Sequence, residues 1–262
     1  PECDTELIRK EGEAQHYCPN ETGCPPQIKG RMQHFISRRA MDIEGLGAET
    51  IDQLHEAGLI NNIGDLYDLQ ADQLLPLERM AQKSVDNMLE GIILSKNIPF
   101  ERVLFGLGIR YVGETVAKKL ARHFHSIEAV MNASLETLVE VDEIGGRIAE
   151  SVVEFFSIEA NKTLIQRLME AGLQLSIPED QLADNTDILS GFSFVISGVF
   201  ERHSRDELKE LIEKNGGKNT GSVSAKTSYL LAGEGMGPSK RAKAEKLEVK
   251  IISEADFESM IN

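Results

Sequence analysis

Cys3, Cys18 and Cys24 are the only thiols in the 262-residue chain, and all three lie near its start. Thiolates are soft donors that hold zinc tetrahedrally in small, loop-rich folds. Fourteen residues separate the first two cysteines and five separate the last two, with prolines and a glycine close by. That stretch has too few apolar residues to fold on a core of its own, which also suits a metal. A structural zinc takes four protein ligands, so one is wanting. A cysteine directly before Pro1 would complete C-x-x-C with Cys3. His16 is the other candidate, although two residues before Cys18 it makes a cramped chelate. Free thiols in a loop are the alternative. Three thiols without an even disulfide framework point to a reducing, cytoplasmic compartment.

The second set of residues recurs. IEGLGAETI (43–51), LERMAQKSV (77–85), IRYVGETVA (109–117) and VDEIGGRIA (141–149) align without gaps. Their starts lie 34, 32 and 32 residues apart, and each has a small residue at its fifth position: Gly47, Ala81, Gly113 and Gly145. Ile63 matches Ile127, Leu74 matches Leu138 and Leu77 matches Val141, each pair 64 apart, so a two-motif block is duplicated. Apolar spacing predicts helices on both sides of each small residue, with Ser134 as an N-cap before SLETLVEV. Each unit is therefore a helix, a tight hairpin and a helix, with the recurring glycine expected at a positive φ.

A helix that starts directly after such a glycine leaves its first amides pointing outward. Those amides and the helix dipole can hold a backbone phosphate. The candidates are Gly45, Gly47, Gly113, Gly145 and Gly146, with Lys83, Arg110 and Arg147 as flanking cations. A protein-binding helical solenoid is the alternative, since a period of 34 also suits tetratricopeptide-type repeats.

After Gly172 the character of the chain changes. IPEDQLADNTD (177–187) is polar, acidic and proline-containing, as a linker is. GFSFVISG predicts a strand, SRDELKELIEKNGGK a helix capped by Ser204, TSYLLAG a second strand, GPSKRAKAEKLE a basic helix, VKIIS a third strand and EADFESMI a closing helix. Such alternation implies a small parallel-sheet α/β domain. Ser197 and Gly198 end its first strand, and Lys243 lies on the basic helix; together they are candidates for one phosphate site. An ordinary turn beside a solvated lysine is the plainer alternative.

The net charge of −15 lends no support to a nucleic-acid partner, and most of the acidic excess lies in residues 31–185. Helix N-termini can bind phosphate without an excess of lysine. No run of about 18 apolar residues exists, so no membrane span is expected. No secretory leader is visible. G-x-x-x-x-G-K-[ST], G-x-S-x-G and H-E-x-x-H are absent, and the histidines are scattered.

The wording of several motifs resembles the C-terminal half of bacterial NAD-dependent DNA ligases. The most specific pieces are CPNETGCPPQ, HFISRRAMDIEGLG, LERMAQKS, FGLGIRYVGE, GSVSAKTSYLLAGE and SKRAKAEKLEV. The resemblance implies a multidomain chain. A zinc finger would occupy 1–30, four helix-hairpin-helix motifs in two blocks 31–176, a linker 177–187, and an α/β BRCT domain 188–262. It implies Cys3, Cys18 and Cys24 as structural zinc ligands, with the fourth directly before Pro1, as if the chain were a fragment cut inside its own metal site. In that family a K-x-D-G lysine takes AMP from NAD and passes it to the 5′-phosphate of a nick, which is then sealed with a divalent cation. Neither that motif nor an OB-fold occurs here. The chain is thus expected to clamp nicked duplex DNA during replication and repair, inactive without its adenylation and OB-fold domains, in a bacterial cytoplasm and associated with the nucleoid. Hairpin 2, with Arg79 and Ala81, is expected to contact DNA weakly. The rival is an interaction scaffold whose BRCT domain reads phosphopeptides through Ser197, Gly198 and Lys243.

Overall fold

A computed structural model describes residues 1–9, 12, 14–179, 186 and 188–261. The chain divides into two compact units, Pro1–Ile177 and Pro178–Asn262. Most of the expected linker at 177–187 lies outside the described residues.

The first unit opens with two short antiparallel strands, β1 (Ile8–Arg9) and β2 (His16–Tyr17), paired Ile8 to Tyr17 and Arg9 to His16. Helix α1 (Pro25–Ile36) follows, with Cys24 at its N-cap. Pro25 and Pro26 suit its first turn, where an N–H would have no intrahelical partner. Met32 and Phe35 of this helix are fully buried and join the finger-bearing segment to the helical core.

The four recurring segments follow in chain order, each leading into a helix. Hairpin 1 (43–47) leads into α2 (Ala48–Glu56). A 3₁₀ turn at Ile63–Asp68 and α3 (Ala71–Leu74) precede hairpin 2 (77–81) and α4 (Gln82–Ser95). Helix α5 (Phe100–Gly106), hairpin 3 (109–113) and α6 (Glu114–Phe124) begin the second block. Helices α7 (Ile127–Asn132) and α8 (Leu135–Val139), hairpin 4 (141–145), α9 (Gly146–Ser157) and α10 (Glu159–Glu170) complete it. The 64-residue correspondences are core positions: Ile63, Ile127, Leu74, Leu138 and Val141 are all buried in one cluster. Ser134 caps α8 by accepting from the Thr137 amide.

All four hairpins follow one backbone plan. The first and fourth residues are apolar and pack on the core, as Ile109 and Val112 do in hairpin 3. In hairpins 2, 3 and 4 the fourth amide bonds the first carbonyl at 3.0–3.2 Å. The third residue is left-handed in every case: Gly45 (φ 83°), Arg79 (61°), Tyr111 (65°) and Glu143 (66°). Positive φ at the third residue alone is the pattern of a type II turn. The recurring small residue comes two places later, at the helix N-cap, with Gly47, Ala81, Gly113 and Gly145 at φ −121°, −78°, −84° and −83°. The expectation of positive φ at the recurring glycine is therefore wrong. The turn needs its left-handed residue before the last apolar anchor, not after it.

The second unit is a parallel sheet in the order β4-β3-β5-β6, formed by β3 (Ser193–Ser197), β4 (Lys218–Asn219), β5 (Tyr229–Ala232) and β6 (Lys250–Ile252). It has four strands, not the three expected, because two-residue β4 contains no apolar run to announce it. Side chains alternate across the sheet. Phe194, Ile196 and Leu231 pack with Leu208 and Ile212 of α11 (Arg205–Lys214) and Phe257 of α13 (Glu254–Ile261). Val195 and Leu230 pack with Ala244 of α12 (Pro238–Lys246) on the other face. Burial on both faces is what a parallel sheet demands. Ser204 caps α11 as expected, in a reciprocal capping box with Glu207.

Candidate nucleic-acid interface and metal centre

The finger gathers its thiols. The sulfurs of Cys3 and Cys18 lie 3.5 Å apart, and those of Cys3, Cys18 and Cys24 all lie within 4.8 Å of one another. Sulfurs bound to a tetrahedral zinc at about 2.3 Å sit roughly 3.8 Å apart, so the donor set and its spacing fit zinc. Hydrogen bonds from the Thr5 side chain and backbone, outweighing burial, bring the Cys3 thiol down to about 6. Cys18 moves up, because burial and the neighbouring thiols outweigh the Asn20 amide that bonds it. Among the described residues no histidine joins the three sulfurs, and His16 stands apart in β2.

At the hairpins, glycine has two different justifications. Gly45 is left-handed, and a Cβ on it would come within 3.0 Å of the Met88 backbone in α4. Its role is to let hairpin 1 lie on α4. At Gly47, Gly113, Gly145 and Gly146 a Cβ would meet nothing within 4 Å. Neither conformation nor packing inside the chain requires glycine there. No side chain caps α2, α4, α6 or α9. The missing side chains thus leave the helix starts open to an external acceptor.

Charge placement points the same way. Lys83 and Arg147 are the second residues of α4 and α9, are exposed, and have no acidic residue in their first turns. A cation at a helix N-terminus opposes the macrodipole. Such a residue does not serve the helix dipole. At α6 the first turn carries Glu114, which Arg39 neutralises at 3.3 Å. Hairpin 4 carries Asp142 and Glu143, and Lys119 of α6 binds both, at 3.0 and 2.9 Å. Arg110, half-buried, lies over the rings of Tyr17 and Tyr111. Sequence reasoning missed Tyr17, Arg39, Tyr111 and Lys119, since nothing in their spacing marks them.

In the second unit, Ser197 is buried and Gly198 (φ 110°) lies against Gly233, whose backbone a Cβ would approach to 2.5 Å. The lysine that reaches this strand end is Lys240, whose Nζ donates to the Ile196 carbonyl at 3.2 Å. Lys243 is exposed one turn further along α12. Nearby, Glu254 accepts from the amides of Glu201 and His203 at 3.1 and 2.9 Å and meets the His203 ring at 2.9 Å. Burial alone would raise the Glu254 carboxyl, but these hydrogen bonds outweigh it and hold it below the usual carboxylate range.

Three family models match in this order along the chain. The NAD-dependent DNA ligase C4 zinc finger domain covers residues 1–25, the helix-hairpin-helix motif 102–165, and the BRCA1 C Terminus (BRCT) domain 184–261. A DNA ligase of Christiangramia forsetii is 66% identical over 261 residues, and one of Bacteroides fragilis is 58% identical over 262. The chain matches the C-terminal part of NAD-dependent DNA ligases. Each match covers the whole chain and 39% of the relative, so the chain spans about two fifths of the ligases it matches. A DNA ligase of Flavobacterium psychrophilum, 60% identical over 261 residues, matches to the same extent. The three cysteines thus fall within the family's zinc finger, and hairpins 3 and 4 within its helix-hairpin-helix motif. Among the described residues no helix is long and apolar enough to cross a membrane.

Proposed function

We propose that this chain is the DNA-holding part of a ligase that seals nicks in duplex DNA during replication and repair, gripping the backbone without reading sequence. The observation that carries this reading is the set of glycine N-caps whose Cβ positions are empty, at helix starts left without side-chain caps. Phosphate binds such starts through backbone amides and the dipole, which needs few cations and is compatible with a net charge of −15. Gly47, Gly113, Gly145 and Gly146 would present amides. Lys83, Arg110 and Arg147 would add charge, and Gly45 would shape hairpin 1. Zinc held by Cys3, Cys18 and Cys24 would fix the finger against α1.

Transfer of AMP from NAD to a lysine and then to the 5′-phosphate, and the final joining step with its divalent cation, would belong to the adenylation and OB-fold domains of the parent ligase. The isolated chain, without the K-x-D-G lysine, is expected to seal nothing.

Fluorescence anisotropy with nicked and intact duplexes at two salt concentrations tests the reading. Salt-sensitive binding, tighter on the nick, is expected. Gly113→Asp with Gly145→Asp should abolish it while thermal unfolding stays close to that of the parent. Absence of binding at low salt, or undiminished binding by the double variant, would overturn it.

A further inference from the structure

Where the finger, α1, the 3₁₀ turn and α10 meet, the first unit holds a cavity of about 250 Å³. Its walls are apolar: Ile28 and Met32 of α1, Ile63 of the 3₁₀ turn, Leu107, Phe155 of α9 and Leu164 of α10. Ala160 and Thr163, both exposed, stand at its rim. An apolar cavity of about 150 Å³ takes one benzene-sized ring. This one has room for two fused rings.

One polar side chain is buried in the lining. Asn161 is only 7% exposed, and its Nδ2 donates to the Phe155 carbonyl at 2.9 Å, closing the end of α9. That bond fixes which way the amide is turned. Among the described residues nothing donates to the Asn161 Oδ1. A buried acceptor without a donor is unfavourable in the chain by itself, and a ligand N–H would satisfy it. The charged groups around the cavity make no such demand. Arg167 already pairs with Asp65 and Asp68, and Arg31 donates to the Glu21 carbonyl. The lining therefore offers apolar contact and one acceptor, with no free charge to recruit an ion.

We propose that this cavity is a binding site for a small, uncharged aromatic ligand of two fused rings carrying one N–H donor. The apolar walls would take the rings, and Asn161 Oδ1 would accept the N–H. Because the walls come from α1 and from both blocks of the repeat, an occupant would tie these parts together. The inference stands apart from the DNA-binding reading and does not need it.

The test uses the zinc-loaded chain with indole as the probe. Indole should bind with a dissociation constant between about 0.1 and 1 mM, as suits a ligand of about nine non-hydrogen atoms. The methyl resonance of Met32 should shift on binding, while that of Met236 in the second unit should not. At ten times the dissociation constant the first unit should melt about 3 °C higher. Benzofuran, which has the same shape with an oxygen in place of the N–H, should bind about fivefold more weakly. Leu164→Phe fills the cavity from its wall and Ala160→Phe from its rim, and each should weaken indole binding about tenfold. Ala160 is exposed, so its variant keeps the test open should Leu164→Phe fold poorly. A Met32 resonance that does not move as indole nears its solubility limit would overturn the proposal, leaving a cavity that holds water alone. Undiminished binding in the folded Phe variants would put the site elsewhere and overturn it equally. Benzofuran binding as tightly as indole would overturn the role of Asn161 and with it the ligand class.

Discussion

At Gly113 and Gly145 an added Cβ would meet nothing within 4 Å, whereas at Gly198 and Gly233 it would approach backbone atoms to 2.5 and 2.2 Å. The same residue type answers to opposite demands in the two units. In the second unit the segment after β3 is satisfied from inside. Gly198 lies against Gly233, and Glu254 takes up the amides that follow. In the first unit the helix starts have no internal acceptor among the capping side chains, and their glycines keep the approach clear. An interior glycine records how a chain packs; an exterior one records what the chain must admit.

Substitutions sharpen that contrast. Gly198→Ala forces a side chain into backbone at a strongly positive φ, and we expect a loss of about 3 kcal/mol in the second unit, read by thermal melting. A variant that melts with the parent would break the packing account. Glu254→Gln should cost about 1–3 kcal/mol, since several donors lose a charged acceptor. Because the Glu254 carboxyl is held low, its contribution is complete above the ordinary carboxyl value of about 4.3 and is lost as pH falls through the lower folded value. Acid titration of stability should therefore be flatter in Glu254→Gln than in the parent over that range. Lys119→Met takes one cation away from Asp142 and Glu143 of hairpin 4 and should lower DNA affinity about fivefold at low salt, without affecting the second unit. Adding Asp142→Asn and Glu143→Gln should restore it, and failure of that rescue would deny the electrostatic reading. The smallest effect is the most telling. Gly113→Ser supplies a better N-cap, so the fold should gain a few tenths of a kcal/mol while DNA affinity falls about twofold, as the new hydroxyl occupies the amides.

Much of this was legible beforehand because it is periodic or local. The 64-residue repeat marks core positions such as Leu74 and Leu138, and Ser134 and Ser204 announce their helices by cap chemistry. The convergence of the cysteines follows from the scarcity of thiols. What escaped was tertiary. Strand β4 exists because Lys218 and Asn219 pair with Ser193 and Phe194, a register that no run of two polar residues discloses. The left-handed turn residues are Arg79, Tyr111 and Glu143, types that give no warning of positive φ. That Lys240 and not Lys243 reaches the end of β3 is a matter of helical phase, decided only when α12 lies on the sheet. Tyr17 and Arg110 are remote in sequence, and only the folded unit brings ring and cation together.

Arg167, in the final helix of the repeat region, bonds the side chain of Asn62 at 3.2 Å and pairs with Asp65 and Asp68 at 2.8 and 2.5 Å. These partners are the N-cap and two residues of the 3₁₀ turn of the first block, about a hundred positions earlier. An array whose last helix returns to its first block is a ring and not a ladder. Loosening it at one hairpin also strains the clasp at the other side, so the region should exchange its amide protons as one cooperative body, not motif by motif from a frayed end.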